Sequence, residues 1–420
     1  VKKPILAIVL ALFNAAVSHA RETGVSPFES TIEEFNLSRA TYCYRNANEE
    51  IQGNDLHTPK KIASLTKIFT TFLAAEYYRL DHRFKTQFHF VQAYNGDKLN
   101  SYLFISGDLD PSINKEHLQK LSAEIKEYGP LQKVFFDSKF IAYVKTPHDD
   151  PLVSPSLMSS GGTNLALVAA LQIPVQRSPN GLSSFIKDLQ SEGYETSTRT
   201  ITNTSHTVRE LLKIMNTQSD NMIAEILFRS IPEQTRAEIF TRYEFNPAEI
   251  KLKNGSGFPI GEGKGRWDNK ASCGSLLKSL DLLSGGLQNK GMSVNEVFQQ
   301  PMDQGTLKKY GFAEFPSIHD SLVAKTGYTK LARTLAGWTD ITHQTSFVFL
   351  IPTGSRTASA NAKTAMVDLI QNLYSSTTPN PICTVENPSC YPADFFSFKN
   401  EDVVERIEPL PIQLLQVKAP

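Results

Sequence analysis

From Leu65 onward, apolar residues at Leu65, Ile68, Phe69, Phe72 and Leu73 follow the i, i+3, i+4, i+7, i+8 spacing of a helix with one buried stripe. Ser64 and Lys67 stand one turn apart on the flank that this stripe leaves free, roughly 60° from each other, so hydroxyl and amine can meet. Helical periodicity returns in "TVRELLKIMNTQSDNMIAEILFRSI", where Thr207 can cap and two helices flank a polar break at "TQSDN". It returns again in "SLLKSLDLLSGG" and "ANAKTAMVDLIQNLYS". The alternating, β-branched text of "SRATYCYRNANEEIQGNDLHTP" predicts a hairpin before Ser64, and "TLAGWTD" and "TSFVFLIP" predict two further strands. Between residues 88 and 200, short apolar runs ("SYLFISG", "KVFFDSKFIAYV") alternate with turn clusters ("GDLDPS", "TPHDDP", "SSGGTN"). This predicts a strand-rich module inserted into the main domain, with one helical piece in "GLSSFIKDLQSEGY". There is no internal repeat.

Composition narrows the class. A chain of 420 residues, 40% hydrophobic and 20% charged, reads as globular, and 43 basic against 43 acidic residues carry no electrostatic footprint for nucleic acid. The nine His and four Cys form no cluster with zinc spacing, so neither metal nor cofactor is expected. Residues 1–20, with two lysines, an apolar run and small residues at Ser18 and Ala20, read as a secretory signal cleaved after Ala20. No later run is long enough to span a bilayer, and the expected compartment is the periplasm. Export permits disulfides: Cys383 and Cys390 in "ICTVENPSCYP" are expected to pair locally, whereas Cys43 and Cys273 are read as two small buried thiols. The Pro-rich text after about Ser376 reads as a loosely ordered tail.

Ser-x-x-Lys spacing alone is weak, because it recurs at Ser112/Lys115, Ser184/Lys187 and Ser275/Lys278. Two downstream motifs, met in a fixed order, give the Ser64/Lys67 pair its weight. Ser219-Asp220-Asn221 falls in the interhelical break, and Lys325-Thr326-Gly327, which occurs once, lies before "TLAGW". A serine hydroxyl becomes a nucleophile only when a base takes its proton, and a lysine serves only as the neutral amine. Burial and a second cation, Lys325, favour that state for Lys67. The amides at a helix start beside Ser64 suit an oxyanion, Asn221 can hold Lys67 and the substrate amide, and Ser219 can pass a proton to the leaving amine. Lys325 and Thr326 would grip a terminal carboxylate, and Gly327 lets a peptide lie along the strand edge.

Ser-x-x-Lys, Ser-Asp-Asn and Lys-Thr-Gly in this order form the signature of penicillin-binding proteins and class A β-lactamases. Within that superfamily the chain resembles the D-alanyl-D-alanine carboxypeptidase/endopeptidase family, the class C low-molecular-mass penicillin-binding proteins. The resemblance rests on "IASLTK", "LLKIMNTQSDNMIAEILFR", "NGSGF", "AKTG" before "RTLAGW", "GDLDPSI" and "FFDSKFIA". It implies an α+β fold, a serine β-lactamase/DD-peptidase-like domain of antiparallel sheet flanked by helices. The catalytic part would span 21–87 plus 201–375, the inserted module 88–200 and the tail 376–420. Peptidoglycan stem peptides and β-lactam antibiotics are the partners implied. Two features depart from the pattern. The interval between Ser64 and Ser219 is short, which implies that a second inserted module is missing. Tyr328 stands where the family has Thr or Ser, so its backbone N–H survives but a carboxylate-binding hydroxyl is lost. A β-lactamase would need a Glu-x-x-Leu-Asn loop, and "EIKLKN" at Glu249 has an extra lysine before Asn254. A non-catalytic wall-binding homologue is the other alternative, against which the intact Ser64, Lys67, Ser219, Asn221 and Lys325 argue.

Overall fold

A computed structural model describes residues 27–46, 49–96, 98–113, 118–119, 130–142, 167–168, 171–178, 180–261, 263–319, 321–340 and 345–376. The expected signal, the Cys383–Cys390 pair and the tail beyond Ser376 lie outside these residues, as do the clusters "TPHDDP" and "SSGGTN". The chain forms two units. The first holds the described residues up to Tyr77, Leu212–Asp220 and those from Ile231 onward; the second holds Tyr78–Leu211 and Asn221–Ser230.

The first unit is built on a five-stranded sheet in the order β11 (Val323–Thr329), β12 (Ala332–Trp338), β13 (Thr345–Pro352), β1 (Thr41–Asn46), β2 (Gln52–Gly53), with every pairing antiparallel. The β1–β2 pairing is the expected hairpin, with Cys43 opposite Gly53. Period-two alternation gives the sheet two apolar faces. Tyr42, Leu335, Phe347 and Phe349 pack with Phe28 of α1 (Pro27–Glu34) and with Met366, Leu369 and Leu373 of α8 (Arg356–Ser376). Cys43 faces the other way, towards α7 (Cys273–Gln288), whose N-cap Ser272 accepts the Ser275 amide at 3.0 Å. There Cys43 and Cys273 are bonded in a disulfide, so they are not the two separate thiols that the sequence suggested. The 230 residues between them hide the pairing, because only the packing of α7 across β1 and β13 brings the start of the helix over Cys43.

The helix expected after Ser64 is present but differs in two respects. Ser64 lies in a 3-10 turn, Ala63–Leu65, and the α-helix proper, α2, is Thr66–Tyr77. Every residue of α2 from Thr66 to Ala75 is buried, so the polar flank assumed for Lys67 does not exist. Its threonines fit inside because their hydroxyls find carbonyls: Thr66 Oγ1 donates to Ala63 O at 2.8 Å, Thr71 Oγ1 to Lys67 O at 2.7 Å and Thr70 Oγ1 to Gly255 O at 2.8 Å. Phe69 and Phe72 pack edge-on against Phe245, and Phe72 likewise against Tyr243, just past α6 (Glu233–Arg242). A small second sheet joins β3 (Lys60–Lys61), β10 (Lys270–Ala271) and β9 (Ile250–Lys251) ahead of the Ser64 turn.

The second unit carries a mixed sheet, β7 (Val175–Arg177), β6 (Lys133–Phe136), β5 (Lys98–Ser106), β4 (Arg83–Asn95), β8 (Glu195–Thr207), parallel across β5–β6–β7 and antiparallel elsewhere. Its framing strands start before residue 88 and end after residue 200: Phe84 and Thr86 already point inward beneath polar neighbours. One face holds Phe88, Phe90, Leu103, Ile105, Val134 and Phe136. On the other, Phe185 of α3 (Gly181–Ser191) packs against Tyr102, Phe104 and Phe135. At the end of β8, Thr207 and Glu210 form a reciprocal cap for α4 (Val208–Gln218), with Glu210 Oε2 accepting the Thr207 amide at 2.7 Å. In α5 (Asn221–Ser230), Met222 and Ile226 pack on Leu109 and Ile141.

Candidate active site

Ser64 is presented by a strained turn. Ala63, directly before it, has φ of +47°, a left-handed conformation that costs a non-glycine residue energy and persists only where neighbours enforce it. The enforcing neighbour is the "NGSGF" loop. Gly257, at φ +77°, lies so close that a Cβ there would sit 1.8 Å from the Ala63 carbonyl oxygen. Asn254 folds the loop, its Oδ1 accepting the Gly257 amide at 2.8 Å and its Nδ2 donating to Phe258 O at 2.7 Å. Asn269 Nδ2 donates to Asn254 Oδ1 at 2.9 Å and to Thr66 Oγ1 at 3.2 Å, tying the loop to the first turn of α2.

Lys67 is fully buried. Its Nζ donates to the Ser256 carbonyl at 2.9 Å and lies 3.4 Å from Ser64 Oγ. Residue types alone assign "NGSGF" no task in the chemistry; the carbonyl of Ser256 holds the amine, and a backbone acceptor leaves no signature in residue type. Lys325 is equally buried, and its Nζ donates to Ser219 Oγ at 3.0 Å and to Thr326 O at 2.9 Å. Burial first, and the charge of Lys67 second, pull the Lys325 amine well below the ordinary lysine range. Two serine–lysine pairs therefore stand together, and the repulsion between their amines works against the charged form of Lys325. Lys325, expected to grip a terminal carboxylate, has its amine turned to the half-buried Ser219 hydroxyl.

Ser219 itself has φ of +58°, in the break after α4, and Asn221 opens α5 two residues later, half-buried. Thr326 Oγ1 shares a 2.6 Å hydrogen bond with Thr306 Oγ1, which occupies the hydroxyl expected to meet substrate. Gly327 has a tighter reason than accommodating a peptide. A Cβ there would fall 2.1 Å from Thr334 Oγ1 and 3.1 Å from the Ser64 nitrogen, so the missing side chain lets the nucleophile's turn rest on the strand. Thr334 Oγ1 uses that gap to donate to the Ile62 carbonyl at 3.1 Å.

Tyr328 turns its ring away from the Ser64 turn. Its cross-strand partner is Arg333, and the guanidinium lies 4.9 Å from the ring centroid. Arg333 in turn donates to Ser359 Oγ on α8 at 3.0 Å. The ring thus occupies the α8 face of the sheet, opposite Thr334 and the Ser64 turn, and is 60% exposed. The backbone behaves differently from the side chain. The Ala324 amide leaves the sheet to donate to Gln299 O at 3.0 Å, so by period-two alternation the amides of Thr326 and Tyr328 also point off that outer edge. Among the described residues no cluster of three His, Cys, Asp or Glu is placed to hold a metal ion.

Residues 40–138 match the profile of the D-Ala-D-Ala carboxypeptidase 3 (S13) family. The match covers about a quarter of the chain, on the stretch that holds Ser64 and Lys67. No curated protein sequence matches the chain. Among solved structures, the predatory endopeptidase Bd0816 of Bdellovibrio bacteriovorus, in complex with the immunity protein Bd3460, is similar with a TM-score of 0.67 and 21% identity, over 83% of this chain and 96% of that one. The penicillin G acylated endopeptidase Bd3459 of the same organism, also with Bd3460, is similar with a TM-score of 0.61 and 23% identity, over 82% and 94%. Penicillin binding protein 4 of Haemophilus influenzae gives 0.59 and 16%, over 82% and 99%. The α+β fold expected from the motifs is therefore the fold found.

Proposed function

We propose that this protein is an exported serine peptidase of the S13 type, that it cleaves D-alanyl-D-alanine or D-alanyl cross-link bonds of peptidoglycan through an acyl-enzyme on Ser64, and that penicillin traps it there. The observation that carries the reading is the pair of buried lysines, each against a serine: Lys67 at 3.4 Å from Ser64 Oγ and Lys325 at 3.0 Å from Ser219 Oγ. In the forward step Lys67 as neutral amine takes the Ser64 proton while Oγ bonds to the D-alanyl carbonyl carbon. The oxyanion meets the amides of Ser64 and Tyr328. As the C–N bond breaks, a proton reaches the leaving amine through Ser219, which Lys325 resupplies. Water then repeats the sequence on the ester and frees Ser64. A β-lactam follows the first half, but its amine stays tethered and the ester persists. The supporting features are the depressed Lys325 amine beside Lys67 and the penicillin-acylated Bd3459 protein of like fold. Export fits the Cys43–Cys273 disulfide, a bond of oxidising compartments, and no helix among the described residues is long and apolar enough to cross a membrane.

The test is a peptide map after incubation with benzylpenicillin. One penicillin is expected on the tryptic peptide Ile62–Lys67; an unlabelled protein, or label on another serine, removes Ser64 from the role.

Tyr328 gives a separate expectation. Because its ring packs on Arg333 away from Ser64, Tyr328→Thr should leave penicillin acylation and D-alanyl-D-alanine peptide turnover within about twofold of wild type. A several-fold gain in peptide turnover alone would place the ring in the carboxylate site after all.

A further inference from the structure

Lys213 takes no part in the chemistry above, and only 1% of its side chain is exposed. An ammonium so placed is tolerated only where its protons find partners. Its Nζ donates to the Asn295 carbonyl at 2.9 Å, the Phe298 carbonyl at 2.6 Å and Asp303 Oδ2 at 2.7 Å. Asp303 Oδ2 also accepts the Gln300 amide at 2.8 Å. One turn along α4, Asn216 Nδ2 donates to the Val297 carbonyl at 2.8 Å and to Thr71 Oγ1 on α2 at 2.9 Å. These contacts gather one stretch, residues 295–303, that has only the short turn Val294–Glu296 as regular structure of its own.

The same stretch reaches both elements that carry the second serine–lysine pair. The Gln299 carbonyl accepts the amide of Ala324, the residue before Lys325, at 3.0 Å. Thr306 Oγ1 meets Thr326 Oγ1 at 2.6 Å, and the Thr306 amide donates to the carbonyl of Thr217, two residues before Ser219, at 3.1 Å. The Gln299 side chain closes the piece, donating to Thr306 Oγ1 and accepting the Leu307 amide, both at 2.9 Å. Residues 295–306 are thus a strut between the end of α4 and β11.

We infer that Lys213 is a positioning residue: by gathering Asn295, Phe298 and Asp303 it holds the strut that sets the Ser219–Lys325 contact, and through it proton delivery to the leaving amine. The inference rests on the acyl-enzyme reading above. Asp303 neutralises Lys213 in place, so its influence travels through geometry. Loosening the strut should slow acylation without moving the pH midpoint of acylation.

The experiment measures penicillin acylation against pH, per folded molecule, for wild type, Lys213→Met, Asp303→Asn and Thr306→Val, with folding checked by circular dichroism and melting. Thr306→Val frees the far end of the strut without leaving a charge buried, so it tests the strut even where loss of the ion pair prevents folding. Each folded variant is expected to acylate about tenfold or more slowly at an unchanged pH midpoint, and Thr306→Ser, which keeps the hydroxyl, to recover most of the rate. Wild-type rates in folded Thr306→Val or folded Lys213→Met overturn the inference, as does a shifted midpoint in place of a slower rate. A wild-type protein that takes no label overturns the acyl-enzyme reading and this inference with it, whereas normal wild-type labelling with unaffected variants overturns this inference alone.

Discussion

Lys325→Met is expected to melt at a higher temperature than the wild type at neutral pH and yet to acylate about 10²- to 10⁴-fold more slowly. The stability gain comes from removing an amine that has no exposed surface and that stands beside the second cation, Lys67. Its pKa is well below 10.5 in the fold and near 10.5 in the unfolded chain. Below the depressed value both states hold the proton and the fold bears the whole desolvation cost. Between that value and 10.5 the unfolded chain still binds a proton that the fold has released, so wild-type stability climbs with pH. The advantage of methionine is therefore largest at low pH and disappears as pH passes 10.5. The activity loss has a separate cause: Ser219 loses its 3.0 Å partner and with it the source of the leaving-group proton. Paired melting curves across pH and acylation time courses test both halves. A variant that melts below wild type at every pH would mean that the amine's bonds to Ser219 and the Thr326 carbonyl outweigh its desolvation; wild-type acylation would remove Lys325 from the proton path.

This antagonism between stability and chemistry also explains what could be read in advance. The contact between Ser64 and Lys67 was legible because one helical turn fixes that spacing. The elements around them were legible for the same reason: α7, α8, β12 and β13 lie where periodicity puts them. What failed was contact over distance. Cys43 and Cys273 meet only because a helix crosses a strand far away in sequence. The burial of every flank of α2 was not legible because Thr66, Thr70 and Thr71 read as polar, whereas hydroxyls bonded to nearby carbonyls pack as interior groups. The side taken by Tyr328 was available from alternation alone. On a strand, Lys325 and Gly327 share one face and Thr326 and Tyr328 the other, so a lysine aimed at the site already turns the tyrosine away. The strut at 295–306 carried no signal, since its work is done by carbonyls, amides and one buried ion pair.

Gly257 is where such silent backbone contact should matter most, and Gly257→Ala is expected to cut acylation about 100-fold or more while costing about 1–3 kcal/mol of stability. Its φ of +77° disfavours any side chain, but the space matters more than the angle. The new methyl would lie 1.8 Å from the Ala63 carbonyl oxygen and 2.6 Å from Thr66 Oγ1. Neither can step aside cheaply, because Thr66 Oγ1 donates to that same carbonyl at 2.8 Å and Ala63 is already held at φ +47°. The loop and the turn must separate, which carries Ser64 away from its amides and the Ser256 carbonyl away from Lys67. Gly263→Ala is the control. It has φ of +54° and nothing within 4 Å, so it incurs backbone strain without collision and should acylate normally. Stopped-flow acylation with melting curves for the two variants decides the matter. Normal acylation by folded Gly257→Ala would mean that the turn relaxes without moving its serine, and that the "NGSGF" loop supports the fold but does not aim the nucleophile.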